Sequence, residues 1–170
     1  AEIIDQAAQR GIKIIVIDSD VNSSQVSCRI GTNNLQAGIK AAEAALATDD
    51  EELYIGIVNY DVNSANGQQR ELGFRQTVEQ DPRVKNITTI NVLSTTEDAS
   101  AGAKEMLLSD SRINVVVTFN EWTSLGVGWA IRDLKRADRI QVVAFDSNVV
   151  SVGMLETGEV DALIVQNPYA

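Results

Sequence analysis

The sequence predicts an α/β fold, a doubly wound and mostly parallel sheet with helices on both faces. Short runs of valine and isoleucine without polar alternation recur along the chain. Such runs are typical of strands that are covered on both faces, as in parallel sheets. Longer segments with helical periodicity lie between the runs, and this alternation is typical of repeated βαβ units.

The elements follow one another in a regular order. Six strands are predicted, at Ile14–Ile17, Tyr54–Val58, Ile87–Leu93, Ile113–Phe119, Ile140–Phe145 and Ala162–Val165. Five helices are predicted between them, at Leu35–Ala47, Gly67–Glu79, Ala99–Leu108, Trp122–Leu134 and Val149–Glu156. A further helical pattern opens the chain. The segment CRIGTNN joins a β-like run to a helix, so the strongest candidate for a boundary is Gly31–Asn34, followed by Gln166–Pro168.

The helix predicted at Trp122–Leu134 carries two packing signals. The LGVG segment, Leu125–Gly128, lies inside the helix and indicates close helix packing rather than a nucleotide loop. Trp122 and Trp129 are seven residues apart and therefore share a helix face. We expect Trp129 to pack in the core.

Composition excludes several classes of protein. The chain has 170 residues, with 24 acidic and 14 basic side chains and a net charge of −10. This length fits one domain, or one domain and part of another. The negative charge argues against a nucleic-acid surface, which needs clustered lysine and arginine. No apolar stretch approaches the roughly 20 residues of a membrane-spanning helix.

The residue types that most enzymes use are largely missing. Without histidine, Ser-His-Asp and Cys-His pairs and histidine-ligated zinc sites are excluded. The single cysteine, Cys28, excludes an internal disulfide. A calcium-loop pattern that begins at Asp61 fails at Ala65, Asn66 and Leu72. The sequence therefore predicts no catalytic residue, no metal site and no cofactor, and its first residues do not form a signal peptide.

Polar side chains follow almost every predicted strand, and ligands of open α/β sheets bind at the carboxyl ends of the strands. The residues at these positions are Asp18, Asn59–Asp61, Asn120, Glu121, Asp146 and Gln166, and Arg70 lies early in a following helix. Carboxylates and amides together with the rigid donor fork of arginine suit a small neutral polyol. Its hydroxyls donate to carboxylates and accept from the guanidinium in charge-assisted hydrogen bonds.

Six short motifs are spread along essentially the whole chain, in the order VIDSD, IGTNNLQAG, QQRELGF, TFNEW, VVAFDS and LIVQNP. In order and spacing they resemble the periplasmic binding protein family of the ribose- and galactose-binding type, whose fold is called type I. In that family two similar lobes close over a sugar and deliver it to a membrane permease or a chemoreceptor. The resemblance implies a partial chain, with a remnant of the first lobe at residues 1–32, a complete second lobe at residues 33–166 and the start of a return crossing at residues 167–170.

The resemblance also implies which residues contact the sugar. They are Asp18, Thr32, Arg70, Asn120, Phe145, Asp146 and Gln166. The aromatic residue of the family's second lobe has no match at Thr95–Asp98, and we expect Trp122 to supply a sugar-stacking face instead. It further implies a non-enzymatic receptor without a cofactor that binds a monosaccharide and docks onto a membrane permease or sensor protein, in the periplasm or at the cell surface. The lobes are expected to close about Gly31–Asn33 and Gln166–Pro168. Because half of the cleft lies outside the 170 residues, we expect the isolated chain to bind sugar weakly or not at all.

Structural roles compete with binding at several of these positions. Asp18 suits a turn or a cap, and Asn120 and Asp146 each suit the N-cap of the helix that follows. Arg70 suits a surface ion pair with Glu71 or Asp61. Capping and binding can coexist in one residue, so these roles leave the binding hypothesis open.

Two other functions share this fold. One is the effector-binding domain of a transcription regulator of the lactose-repressor type. Many such domains carry a Gly-His pair before the strand predicted at Tyr54–Val58, where this chain has DDEEL. The other is an enzyme, since a fold does not fix a function, although the missing histidine and phosphate loop argue against it.

Overall fold

The computed structural model describes residues 2–167, which form two compact units divided between Asn33 and Asn34. Gln166 and Asn167 of the predicted second crossing are described, whereas Pro168 lies outside the described residues. Among residues 2–167, none of the helices combines the length and apolar character that a bilayer span requires.

The first unit contains one helix and two parallel strands. Its elements are α1 (Glu2–Gln9), β1 (Ile14–Ile17) and β2 (Val26–Ile30). The segment that the sequence showed only as a β-like run is thus a full strand, since its backbone pairs along β1. Directly after β1, Asp18 adopts a left-handed conformation with a φ of 65°. Its N–H donates to Ile30 O at 2.9 Å, which continues the ladder by one residue.

The second unit alternates strands and helices, and its sheet confirms the predicted fold class. The strands are β3 (Leu53–Asn59), β4 (Val84–Asn91), β5 (Val115–Thr118), β6 (Gln141–Phe145) and β7 (Ala162–Ile164). The helices are α2 (Asn34–Ala45), α3 (Ala65–Val78), α4 (Thr96–Ser109), α5 (Glu121–Leu134) and α6 (Val149–Thr157). All ladders are parallel, in the order β4-β3-β5-β6-β7. The order reverses between β3 and β5, which makes this pair the topological switch point.

Apolar side chains cover both faces of this sheet. On one face α2 and α3 pack over a cluster that includes Phe74, Phe119 and Phe145. The Phe119 ring meets the Phe74 and Phe145 rings edge to face, at centroid distances of 6.0 and 5.7 Å. On the other face α4, α5 and α6 pack over a cluster that includes Ile131 and Met154. The continuous apolar runs of the strands are therefore explained by burial on both sides.

Of the two packing predictions for α5, one is confirmed and one is wrong. The close packing predicted for LGVG is confirmed, because a Cβ at Gly126 would overlap Ala99 on α4 and one at Gly128 would overlap Met154 on α6. The core position expected for Trp129 is wrong, because 39% of this residue is exposed. Trp122, seven residues earlier, is 50% exposed. The two tryptophans do share a helix face, but that face is the solvent-exposed one.

An ion pair joins α5 to the segment after α6. Arg132 Nε donates to Glu159 Oε1 at 2.6 Å, and the Glu159 side chain is 8% exposed. The hydrogen bond from Arg132 is the main reason why the pKa of Glu159 lies below its ordinary value of 4.5. A lowered pKa means that the ion pair stabilises the fold above about pH 4.5, and that this stabilisation is lost as the pH falls through the folded-state pKa.

We expect Glu159→Gln to lower the free energy of unfolding at pH 7 by about 1 kcal/mol, since Arg132 is half exposed and solvent screens the pair. The difference from the wild type should shrink steadily below about pH 4.5. Urea titrations between pH 7 and pH 3 measure it, with the exposed Glu156→Gln as the matched control. An equal difference at every pH would contradict the assignment.

Candidate ligand-binding site

Polar residues gather at the carboxyl ends of neighbouring strands around the switch point. Asn59 ends β3, and Asn120 follows β5 after one intervening residue. Asp146 follows β6 directly, and Gln166 follows β7 after one intervening residue. Because these strands are adjacent and parallel, their polar ends share one edge of the sheet, where ligands of this architecture bind.

Arg70 is buried at this edge and is held by neutral acceptors. It lies on α3 and is 3% exposed. Its Nε donates to Asn34 Oδ1 at 2.8 Å, and its Nη1 donates to Phe119 O at 2.6 Å. Its Nη2 donates to Gln166 Oε1 at 3.0 Å, and its guanidinium lies 4.9 Å from the centre of the Phe145 ring.

No ion pair reaches Arg70 within residues 2–167. The alternative ion pair of Arg70 with Glu71 or Asp61 is therefore wrong. Glu71 binds Arg75 instead, with 2.8 Å between Arg75 Nε and Glu71 Oε1, because the two residues lie one turn apart on α3. A buried cation without a carboxylate partner is unusual, and it points to acceptor atoms supplied by a ligand.

Gln166 bridges Arg70 to Asp146. While its Oε1 accepts from Arg70, its Nε2 donates to Asp146 Oδ1 at 2.5 Å. The side chain thus presents an acceptor to the cation and a donor to the carboxylate. One amide fixes the orientation of both charged groups, which lie on elements far apart in the sequence.

Asp146 does not cap α6. The N-cap is Asn148, whose Oδ1 accepts from Ser151 N at 2.8 Å, so the capping interpretation of Asp146 is wrong. Asp146 adopts a left-handed conformation with a φ of 64°, and its N–H donates to Ile164 O at 3.0 Å. Asp18 has the same local geometry after β1 of the first unit, so each unit ends one strand with an aspartate turned in the same way.

Asn120 has the structural role that the sequence allowed. Its Oδ1 accepts from Thr123 N at 2.9 Å, in a capping box at the start of α5. Its Nδ2 donates to Ser94 Oγ at 2.8 Å. Because Asn120 remains half-buried at the carboxyl edge, its amide group can still meet a ligand there.

The other predicted contacts differ in exposure. Phe145 is fully buried beneath the Arg70 guanidinium, where it supports the arginine rather than offering a free ring face. Trp122 is half exposed in the first turn of α5, next to the Asn120 cap. In the first unit, Asp18 is exposed and Thr32 is half-buried. Direct sugar contact by these residues stays a prediction.

Two buried residues at this edge have roles that were not predicted from the sequence. Asn34 binds Arg70, and its only sequence signal is its place in TNN at a helix start. Ser124 Oγ lies 2.6 Å from Thr118 Oγ1 and accepts from Phe145 N at 2.9 Å. Ser124 therefore ties the ends of β5 and β6 together. Its sequence position, inside a helix, gives no sign of this role.

The side chains of the site are suited to binding a ligand through hydrogen bonds. It combines a fixed guanidinium, a carboxylate and several amides, which together donate and accept hydrogen bonds at defined positions. Within residues 2–167, no group of three or more cysteine, aspartate or glutamate residues is arranged to hold a metal ion. The arrangement fits a ligand that is rich in hydroxyl groups.

Comparison with known families agrees with this geometry. The model of the family described as "periplasmic binding protein domain" matches residues 1–170. The chain belongs to the periplasmic binding protein family. This family consists of solute-binding proteins, and its type I members have the doubly wound sheet described above.

Several relatives and structural neighbours of this periplasmic binding protein chain are named for sugar binding or sugar transport. A D-apiose import binding protein of Actinobacillus succinogenes is 24% identical over 166 residues, which are 96% of this chain and 53% of that protein. A carbohydrate transporter solute-binding protein of Agrobacterium radiobacter, solved with D-arabinose, is 28% identical with a TM-score of 0.93, over 99% of this chain and 59% of that one. The periplasmic component of an ABC-type sugar transport system of Hahella chejuensis is 28% identical with a TM-score of 0.94, over 99% and 62%. The chain thus spans about half the length of the curated relatives it matches.

Proposed function

We propose that this periplasmic binding protein chain provides one sugar-binding lobe of a non-enzymatic receptor for a neutral monosaccharide. The observation that carries the proposal is the buried Arg70, whose acceptors among residues 2–167 are all neutral and which is linked through Gln166 to Asp146 at the switch point. Family membership and the names of the relatives support the same class of ligand.

The donor and acceptor pattern suits hydroxyl groups. A guanidinium carries five N–H bonds, and the three contacts of Arg70 leave two for a ligand. Asp146 uses one carboxylate oxygen for Gln166, and its other oxygen can accept from a hydroxyl. A sugar hydroxyl donates to a carboxylate and accepts from a guanidinium at the same time, so adjacent hydroxyls match the Arg70 and Asp146 pair.

The partners and the location belong to the same proposal. The receptor works outside the cytoplasm, in the periplasm or at the cell surface, and delivers its sugar to a membrane permease or a sensor protein. Names such as "import binding protein" and "ABC-type sugar transport system" support delivery to an importer rather than control of transcription. Sugar contacts that exist only in a closed state would shift the population to the form that the partner recognises.

A thermal-shift screen of the complete gene product tests the proposal. The panel contains neutral pentoses and hexoses, together with a sugar acid and a sugar phosphate as charged controls. We expect one or a few neutral monosaccharides to raise the melting temperature, because ligand at 100 times its Kd adds about 2.7 kcal/mol of stability. Stabilisation by none of the sugars, or by the charged ones alone, would refute a receptor for neutral monosaccharides.

A further inference from the structure

The oxygen and the nitrogen of the Asn34 side-chain amide both bind residues of α3, the helix that carries Arg70. It is the first residue of α2 and is 6% exposed. Its Oδ1 accepts from Arg70 Nε at 2.8 Å, while its Nδ2 donates to Asn66 Oδ1 at 3.2 Å. Asn66 lies one turn before Arg70 on α3, so the Asn34 amide cannot turn over without losing both bonds.

The short side chain of Asn34 can reach from α2 to Arg70 because α2 and α3 pack unusually closely. A Cβ at Gly38 on α2 would overlap the Arg70 carbonyl, and a Cβ at Gly73 on α3 would overlap the Leu35 carbonyl. These two glycines remove the side chains that would hold the helices apart. The positions of Asn34 and Arg70 are therefore fixed by the backbones of both helices.

The guanidinium is planar, so an acceptor at Nε restricts the directions of all its other N–H bonds. Asn34 fixes Nε, Phe119 O fixes Nη1, and the Phe145 ring lies beneath the plane. Without the Asn34 oxygen, a buried charged donor would lose its partner and the plane would be free to tilt.

We propose that Asn34 is a positioning residue for sugar binding. It does not touch the sugar, but it holds the Arg70 guanidinium so that the outer N–H groups meet the sugar oxygens. This inference rests on the proposed function, and it adds a residue from α2 to a site otherwise built from strand ends and α3.

The first test is calorimetric binding of the sugar that the complete gene product recognises. Asn34→Ala should weaken binding roughly 10- to 100-fold, the range expected for one hydrogen bond to a charged group. Asn34→Asp keeps the acceptor for Nε and should stay within about threefold of the wild type. Asn86→Ala, at an exposed asparagine of the edge strand β4, is the matched control and should leave the Kd unchanged. A purely structural role would lower the melting temperature of Asn34→Ala and leave its Kd intact, which would overturn the proposal.

The second test needs no sugar. Hydrogen exchange at the Arg70 Nε–H, followed by nuclear magnetic resonance, should be at least about tenfold faster in Asn34→Ala than in the wild type. The milder Asn34→Ser serves if the alanine variant does not fold. If the wild type binds no monosaccharide, the proposed function fails, yet this exchange rate still decides whether Asn34 holds the arginine. Unchanged exchange would overturn the positioning role.

Discussion

Arg70→Met is expected to weaken monosaccharide binding by at least about 100-fold, because each hydrogen bond from a charged group contributes about 1.5–3 kcal/mol and two N–H bonds are available to the sugar. The free energy of unfolding should change by less than about 2 kcal/mol. Methionine has a similar length and removes a buried charge that has no carboxylate partner in the described part of the chain, which offsets the loss of the hydrogen bonds to Asn34, Phe119 and Gln166.

Calorimetry and urea unfolding of the complete gene product measure the two effects separately. Arg112→Met is the matched control, since it changes the net charge equally at an exposed ion pair with Asp110, before the amino end of β5. Arg70→Lys separates charge from geometry: it keeps the cation but loses the planar fork, so we expect it to bind as poorly as Arg70→Met. Binding of Arg70→Met within threefold of the wild type would remove Arg70 from the site.

The sheet could be predicted because its strands are buried on both faces. All four residues of β5 are buried, and the first three are valines. The edge strand β4 was displaced in the prediction, which began at Ile87 whereas the strand begins at Val84. Its first residues, VKN, include exposed polar side chains that are typical of a loop, because an edge strand has only one neighbour. The exposed polar residues at its start therefore explain why the beginning of β4 was missed.

The residue types of the site could also be predicted, but their pairings could not. The rule that ligands bind at the carboxyl ends of strands selected Asp146 and Gln166 without any contact information. The partners of Arg70 lie 36 residues before it and 49 and 96 residues after it, distances at which sequence patterns carry no signal. The sequence offered as partners for Arg70 only the nearby acids Glu71 and Asp61, and in the folded protein Glu71 binds Arg75 instead.

The N-cap predicted at Asp146 was wrong because a neighbouring residue is better placed to cap the helix. Both Asp146 and Asn148 suit an N-cap by residue type, and the helix begins at Val149. Asn148 takes the cap because it directly precedes the helix. Asp146 continues the ladder to Ile164 in a left-handed turn, which leaves its carboxylate at the edge of the sheet beside Gln166.

Gly38→Ala is expected to lower the free energy of unfolding by about 3 kcal/mol, at the upper end for overpacking. In a helix interior the same change normally adds up to about 1 kcal/mol of helix propensity. Here the added Cβ would overlap the Arg70 carbonyl and the Phe74 backbone, so α2 and α3 must separate. Because Arg70 moves with α3, we expect its sugar affinity to fall as well.

Gly153→Ala provides the matched control, since Gly153 also lies inside a helix and a Cβ there meets no atom within 4 Å. We expect this variant to be more stable than the wild type by about 0.5–1 kcal/mol in urea unfolding. Both variants share the propensity gain, so the difference between them isolates the steric cost of bringing α2 against α3. If the two were equally stable, the helices could separate freely, and the fixed distance between Asn34 and Arg70 would have to come from the hydrogen bonds alone.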